Sequence, residues 1–184
     1  MRYLTSVETA KLVRKALKKE FPGQKFYVQG KSSVHVSWID GPTEKQVRNV
    51  TGVYEGKAFD SSIDMQFSYS AWLLPDGTAT IAGTPGSSRS MGYTQPFDTE
   101  KPHPDAERVM FCTYVFASRD TSRALVERVV AEVCKETGWD TPEIKDDTAY
   151  MSASKTIPAA YIVRDFREQN QWRIFNERLG NTSG

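Results

Sequence analysis

The chain is poor in the residues from which catalytic and metal centres are most often built. It has two cysteines, Cys112 and Cys134, and two histidines, His35 and His103, among 184 residues. A disulfide framework and a four-cysteine zinc site are thereby excluded. Most histidine-based catalytic or metal arrangements also need more imidazoles than this. No stretch approaches the roughly 18 consecutive apolar residues of a membrane span, and the longest apolar runs, such as Tyr114 to Ala117, have the length of a core strand. The opening MRYLTSVETAKLV meets charge too soon for a secretory signal, whose apolar segment runs about 7–15 residues. The expected compartment is the cytosol. Net charge is also small, at +1, which argues against an acidic DNA mimic and against a uniformly basic nucleic-acid coat.

What is present is a globular composition, 39% hydrophobic and 26% charged. At roughly 150 residues per domain the length fits one domain, with or without an appendage. The charge is unevenly placed. Residues 1–50 hold ten Lys/Arg against four Asp/Glu, a net of +6, and the remainder holds 14 against 19, a net of −5. A basic N-terminal third favours a polyanion through its summed field.

Periodicity places the elements. Thr5 and Glu8 have capping-box spacing ahead of a helix from about Ser6 to Glu20, with Ala10, Val13, Leu17 and Phe21 on its inner face. Lys11, Arg14, Lys15, Lys18 and Lys19 fill the rest of its surface, either as a solvated outer face or as a contact for phosphate or an acidic protein. Pro22-Gly23 stops it. A hairpin of Lys25–Val28 and Ser33–Ile39 follows, turning at Gln29-Gly30-Lys31-Ser32. Val34, Val36 and Trp38 point to the core and His35 points away, as a sheet histidine satisfied by its neighbours rather than a catalytic one.

Thr43 and Gln46 repeat the capping-box spacing and open a short helix to about Tyr54, with Val47, Val50 and Tyr54 inward. Ile63, Met65, Phe67 and Tyr69 alternate with polar residues as a half-buried strand. Ala71–Leu74 prolongs or restarts it, Pro75-Asp76-Gly77-Thr78 turns, and Ala79–Ala82 returns. Gly83 to Ala106, with three Gly and four Pro, reads as a long loop or flap. Val109 to Ala117 is the strongest strand signal. Asp120 or Thr121 then caps a helix with Leu125, Val129, Val130, Val133 and Cys134 inward, ended by Gly138. A strand-like piece lies within Glu143–Met151, best at Asp147–Met151, and Tyr161 to Arg178 is expected to be a terminal helix. That helix either docks on its own domain or meets a partner, a second copy of the chain included.

The order helix, hairpin, helix, strands, helix, strand implies an α+β fold: a largely antiparallel sheet with helices packed on one face, plus a C-terminal helix. The expected division is residues 1–152 as the α+β domain and 153–184 as a helical appendage with a frayed tail.

Three runs, ETAKLVRKALKKEFPGQKFYV, SVHVSWIDGPTEKQV and YEGKAFDSSIDM, resemble a large polyvalent protein-associated domain, the twenty-ninth of that numbered series. FASRDTSRALVERVVAEVCKETGW and PEIKDDTAYM are similar to its closing helix and strand, so the resemblance spans roughly residues 3–151. The D-G-P-T turn after a strand ending near Trp38 is its most specific part, and Ser61 stands where the family's F-D-G-x-x-D segment has Gly. The resemblance implies a module of phages and conjugative elements that works in the bacterial host cytosol, helping incoming DNA establish itself, sometimes against host defence. It transfers no catalytic motif.

The residues themselves offer little chemistry. Asp60 and Asp64 share a strand face but stand about 13 Å apart by the rise per residue, too far for a two-carboxylate metal site unless a turn folds between them. Cys112 falls mid-strand and Cys134 on a buried helix stripe, where thiols are inert. His35-Val36-Ser37 is half of a two-histidine phosphoesterase signature whose other half is missing, since Pro104-Asp105 follows His103. No catalytic residue, metal site or cofactor is expected. The leading expectation is a protein-binding module that engages a host protein complex, as an anti-defence inhibitor would, with Tyr93, Phe97, Trp172 and Phe175 as anchors. The alternatives are a DNA- or RNA-binding accessory protein using Lys11, Arg14, Lys15, Lys18, Lys19, Lys25 and Lys31, with Phe26 or Tyr27 turned outward to stack on bases, and a nucleotide- or phosphate-processing enzyme.

Overall fold

The structure is a computed structural model, and it describes residues 1–60, 64–83, 99–112, 114–138, 144–146, 161–163, 174 and 177–181. It has the α+β architecture expected from the element order. The chain forms two compact units: Met1–Val36 with Gln46–Ala117, and Ser37–Lys45 with Ser118–Gly184.

The first unit opens with a two-residue strand, β1 (Arg2–Tyr3), too short to leave any periodic signal. Helix α1 (Ser6–Glu20) follows. Its capping box is complete: the Thr5 hydroxyl accepts from the Glu8 N–H at 3.2 Å, and the Glu8 carboxylate accepts from the Thr5 N–H at 2.8 Å. Two of the helix's four orphan donors are satisfied this way. Thr9, Ala10, Val13 and Leu17 form its buried face, while Phe21 is only half-buried.

The helix packs against β2 (Tyr27–Gly30), which neighbours β3 (Val34–Ile39). Gly30 is required here, because a Cβ on it would lie 2.3 Å from the Ser6 carbonyl oxygen. In β3 the expected alternation holds, with Val34, Val36 and Trp38 buried and His35 exposed. Helix α2 (Glu44–Thr51) and a 3-10 turn (Gly52–Tyr54) bury Val47, Thr51 and Tyr54, and Val50 is half-buried.

The strand expected over Ile63 to Tyr69 is present from Met65 to Ser68, as one arm of a hairpin, and Ile63 lies outside the described residues. β4 (Lys57–Asp60) pairs antiparallel with β5 (Met65–Ser68), Asp60 opposite Met65. β6 (Ser70–Leu73) pairs antiparallel with β7 (Ala79–Gly83) around the Pro75–Thr78 turn. In that turn the Leu74 N–H donates to the Thr78 carbonyl, and Gly77 takes a φ of +87°, which favours glycine.

The predicted strand Val109–Ala117 is two strands. β8 (Glu107–Met110) pairs with β6 and, in parallel, with β1, giving a four-stranded sheet in the order β1-β8-β6-β7. The chain then leaves that sheet, and β9 (Val115–Asp120) joins β3 in a three-stranded sheet ordered β2-β3-β9. The backbone at Gly56 comes close to the end of β8. Gly56 crosses at Phe111–Cys112, its N–H donating to the Cys112 carbonyl at 2.8 Å. A Cβ on Gly56 would lie 2.3 Å from the Phe111 carbonyl oxygen. The bond from the Val34 N–H to the Tyr114 carbonyl, 3.1 Å, then seats the chain beside β3.

The second unit carries helix α3 (Arg123–Thr137). Its N-cap is Ser122, one or two residues later than Asp120 or Thr121, because β9 runs on to Asp120. Leu125, Val126, Val129, Val130, Val133 and Cys134 form its buried stripe, and Gly138 closes it at a φ of 71°. Tyr161–Val163 is not helical: it is strand β11, paired antiparallel with β10 (Ile144–Asp146) across residue 152. A run of Tyr, Ile and Val suits a pleated strand better than a helix. Helix returns at Ile174 and at 177–181, where Ile174 and Leu179 pack on the α3 cluster. Arg178 forks onto Glu136 of α3 at 3.1 and 2.8 Å. Ile174, Arg178 and Leu179 therefore dock on α3 within their own unit.

Candidate binding surfaces

The D-G-P-T turn is a structural clamp. Asp40 and Gly41 both take positive φ, 53° and 65°. The Trp38 side chain, 1% exposed, donates from its indole N–H to the Pro42 carbonyl at 2.8 Å. The Asp40 carboxylate accepts from the Ser122 N–H at 2.7 Å, fixing the residue that caps α3. Glu44 accepts from the Arg119 N–H, and the Arg119 guanidinium donates to the Leu179 carbonyl at 3.3 Å. Burial lowers the pKa of Arg119 against the pull of Asp40 and Glu44, and burial raises that of Asp120. These contacts hold the turn together.

The other chemistry-bearing residues stand apart. Asp60 ends β4 and stands opposite Met65, the residue after Asp64. Asp64 is exposed at a φ of 51°. Cys112 and Cys134 are both buried, and burial pushes the Cys112 thiol up despite hydrogen bonds from its surroundings. The ring of His103 accepts the Asp105 N–H at its Nδ1 in an exposed loop. Among the described residues no three His, Cys, Asp or Glu side chains are grouped as a metal site. Nor is any helix among them long and apolar enough to cross a membrane.

The basic residues of α1 divide into two groups. The Arg14 guanidinium donates to the Val28 carbonyl at 2.7 Å and ties the helix to β2. Lys15 donates to the Asp76 carbonyl at 2.6 Å, and Lys19 lies 3.8 Å from the Asp76 carboxylate. Arg14, Lys15 and Lys19 thus have structural duties that sequence spacing does not reveal. Lys11, Lys18, Lys25 and Lys31 are exposed. Of the adjacent aromatic pair, Tyr27 is the outward member at 42% exposure, with the Lys25 ammonium 5.2 Å above its ring. Phe26 turns back onto Phe21 at 5.9 Å. Tyr93, Phe97, Trp172 and Phe175 lie outside the described residues.

One group was invisible in the sequence. Phe116, in the middle of an apolar run, faces solvent at 47% exposure. Its ring stacks on His35 with centroids 5.0 Å apart and planes 28° off parallel, and Tyr114 leans against it at 5.9 Å. The Tyr114 hydroxyl accepts from the Gln66 amide, whose oxygen accepts from Lys57 at 3.1 Å. Period-two alternation starting at Val115 would have revealed Phe116, but only with the strand break at 111–114 already known.

No curated protein and no solved structure is significantly similar to the chain. A family model does match residues 4–122, from the residue before the Thr5 cap to the Ser122 cap of α3. The chain belongs to the family described as large polyvalent protein associated domain 29, one of the domains of the polyvalent proteins of phages and mobile elements.

Proposed function

We propose that this chain is a non-catalytic binding module of a phage or other mobile element, active in the host cytosol, and that nucleic acid is the ligand of its first unit. The observation that carries the reading is the exposure of Lys11 and Lys18 on α1, with Lys25 and Lys31 on the adjoining hairpin, in the segment where basic residues outnumber acidic ones by six. The non-catalytic part of the reading rests on the sequence, which offers two cysteines and two histidines in all and no catalytic motif.

Four lysine–phosphate contacts correspond to a log–log salt slope of about −3 on a single strand and about −4 on a duplex. The test is fluorescence anisotropy of labelled oligonucleotides between about 50 and 200 mM salt. Binding with that slope, flattened by joint Lys11→Glu and Lys18→Glu substitution, is the expected result. No binding at the low-salt end discards the nucleic-acid reading. Stoichiometric capture of a host protein complex in its place assigns the module to protein binding, as an anti-defence inhibitor would require.

A further inference from the structure

We infer that the outward face of the β2-β3-β9 sheet is a stacking platform for the bases of single-stranded DNA, with Phe116, His35 and Tyr27 as the rings that meet them. This rests on the nucleic-acid reading above and narrows it to one face and one form of ligand.

Three observations within the first unit carry the inference. First, large rings are turned to water on a sheet whose opposite face is buried: Tyr27 and Phe116 are 42% and 47% exposed, and His35 is exposed between buried Val34 and Val36. Single exposed apolar residues are ordinary, but here two of the rings are stacked on each other. Second, the stack is held in place. The chain of contacts from Lys57 through Gln66 and Tyr114 to Phe116 and His35 fixes ring orientation before any ligand arrives. Less ordering then remains to oppose binding.

Third, the charge suits a phosphate backbone. Lys25 sits over the Tyr27 ring, and Lys57 opens the contact chain by donating to Gln66. The outward side chains along β2, residues 34–36 and residues 115–117 include no carboxylate. Aromatic platforms flanked by cations are how single strands are held without sequence preference, because every base offers a π-face. Duplex bases are already stacked on one another and cannot lie on these rings. The occupant is taken as DNA, and a ribose strand of equal length is its control.

The test uses the full chain and anisotropy of a labelled oligothymidine of about 16 nucleotides, within known single-strand site sizes, alongside a duplex and an oligouridine of equal length. The single DNA strand is expected to bind most tightly. Phe116→Ser and His35→Ser should each weaken it by about 5- to 100-fold, the range for losing one base–aromatic stack. Phe116→Leu keeps an apolar side chain of similar reach without a π-face and should show the same loss if the serine variant does not fold. Ile81→Ser removes an equally exposed apolar side chain, 45%, from β7 and should leave binding unchanged. Equal binding of strand and duplex, preference for the oligouridine, or full binding by Phe116→Leu would overturn the platform. If duplex binding persists with its salt slope in those cases, the broader nucleic-acid reading stands; if no oligonucleotide binds, both fall.

Discussion

Gly30→Ala and Gly52→Ala should change stability in opposite directions, although both add one methyl to a glycine of ordinary φ. A Cβ at Gly30 would lie 2.3 Å from the Ser6 carbonyl oxygen, 2.8 Å from its carbon and 3.0 Å from the Ala10 Cβ. The nearest obstacles are backbone atoms in the first turn of α1, held by the Thr5–Glu8 box, so they cannot swing aside as a side-chain tip would. The turn has to retreat by about 1 Å to restore normal contact. Overpacking of this kind costs about 1–3 kcal/mol. Against it stands the gain from a stiffer unfolded chain, about 0.4–1 kcal/mol. At mid-range the clash wins, leaving a net loss of about 1.3 kcal/mol, or about 3–5 °C in melting temperature at this chain length.

At Gly52, in the 3-10 turn, nothing lies within 4 Å of the added methyl, so only the gain remains. A rise of about 1–4 °C is expected. Thermal melts followed by circular dichroism compare both variants with the parent under one set of conditions. A Gly30→Ala protein that melts at or above the parent refutes the close approach of β2 to α1.

Other expectations test the interior. Burial raises the Glu55 carboxyl above its ordinary value of 4.5, outweighing the hydrogen bond from the Val115 N–H and the nearby Arg48. The folded state therefore holds its proton to higher pH than the unfolded state, and stability falls as pH rises from 4.5 through the raised value. Glu55→Gln keeps an acceptor for Val115 and should melt higher than the parent at neutral pH, with the advantage fading by about pH 4; an advantage that grows on acidification contradicts the burial argument. Gly138→Ala imposes a side chain on a φ of 71° in open space, so it should cost about 1 kcal/mol by strain alone, with Gly138→Asn costing less. Both thiols should resist an aromatic disulfide reagent in the native protein and react fully in denaturant; rapid native reaction of either would show that Cys112 or Cys134 is not enclosed.

The sequence by itself determined whatever depends on residues a few positions apart. The bounds and capping box of α1, the stripe of α3 with its Gly138 terminator, the Pro75–Thr78 turn and the alternation in β3 are all of this kind, because a cap, a helix face and a tight turn close within one or two turns of chain. Part of the proposed binding surface was legible for the same reason: Lys11, Lys18, Lys25 and Lys31 sit at surface positions, and one of Phe26 and Tyr27 had to face outward. Only the tertiary structure decided what is covered by segments far along the chain. The run Val109–Ala117 is shared between two sheets, and the alternation of β9 turns Phe116 toward water. Asp76 and the Val28 carbonyl engage Lys15, Lys19 and Arg14, and β10 draws Tyr161–Val163 into a strand. Hydrophobicity along a chain records which side chains could leave water; which of them do so is set by backbone crossings and pairings between residues tens of positions apart.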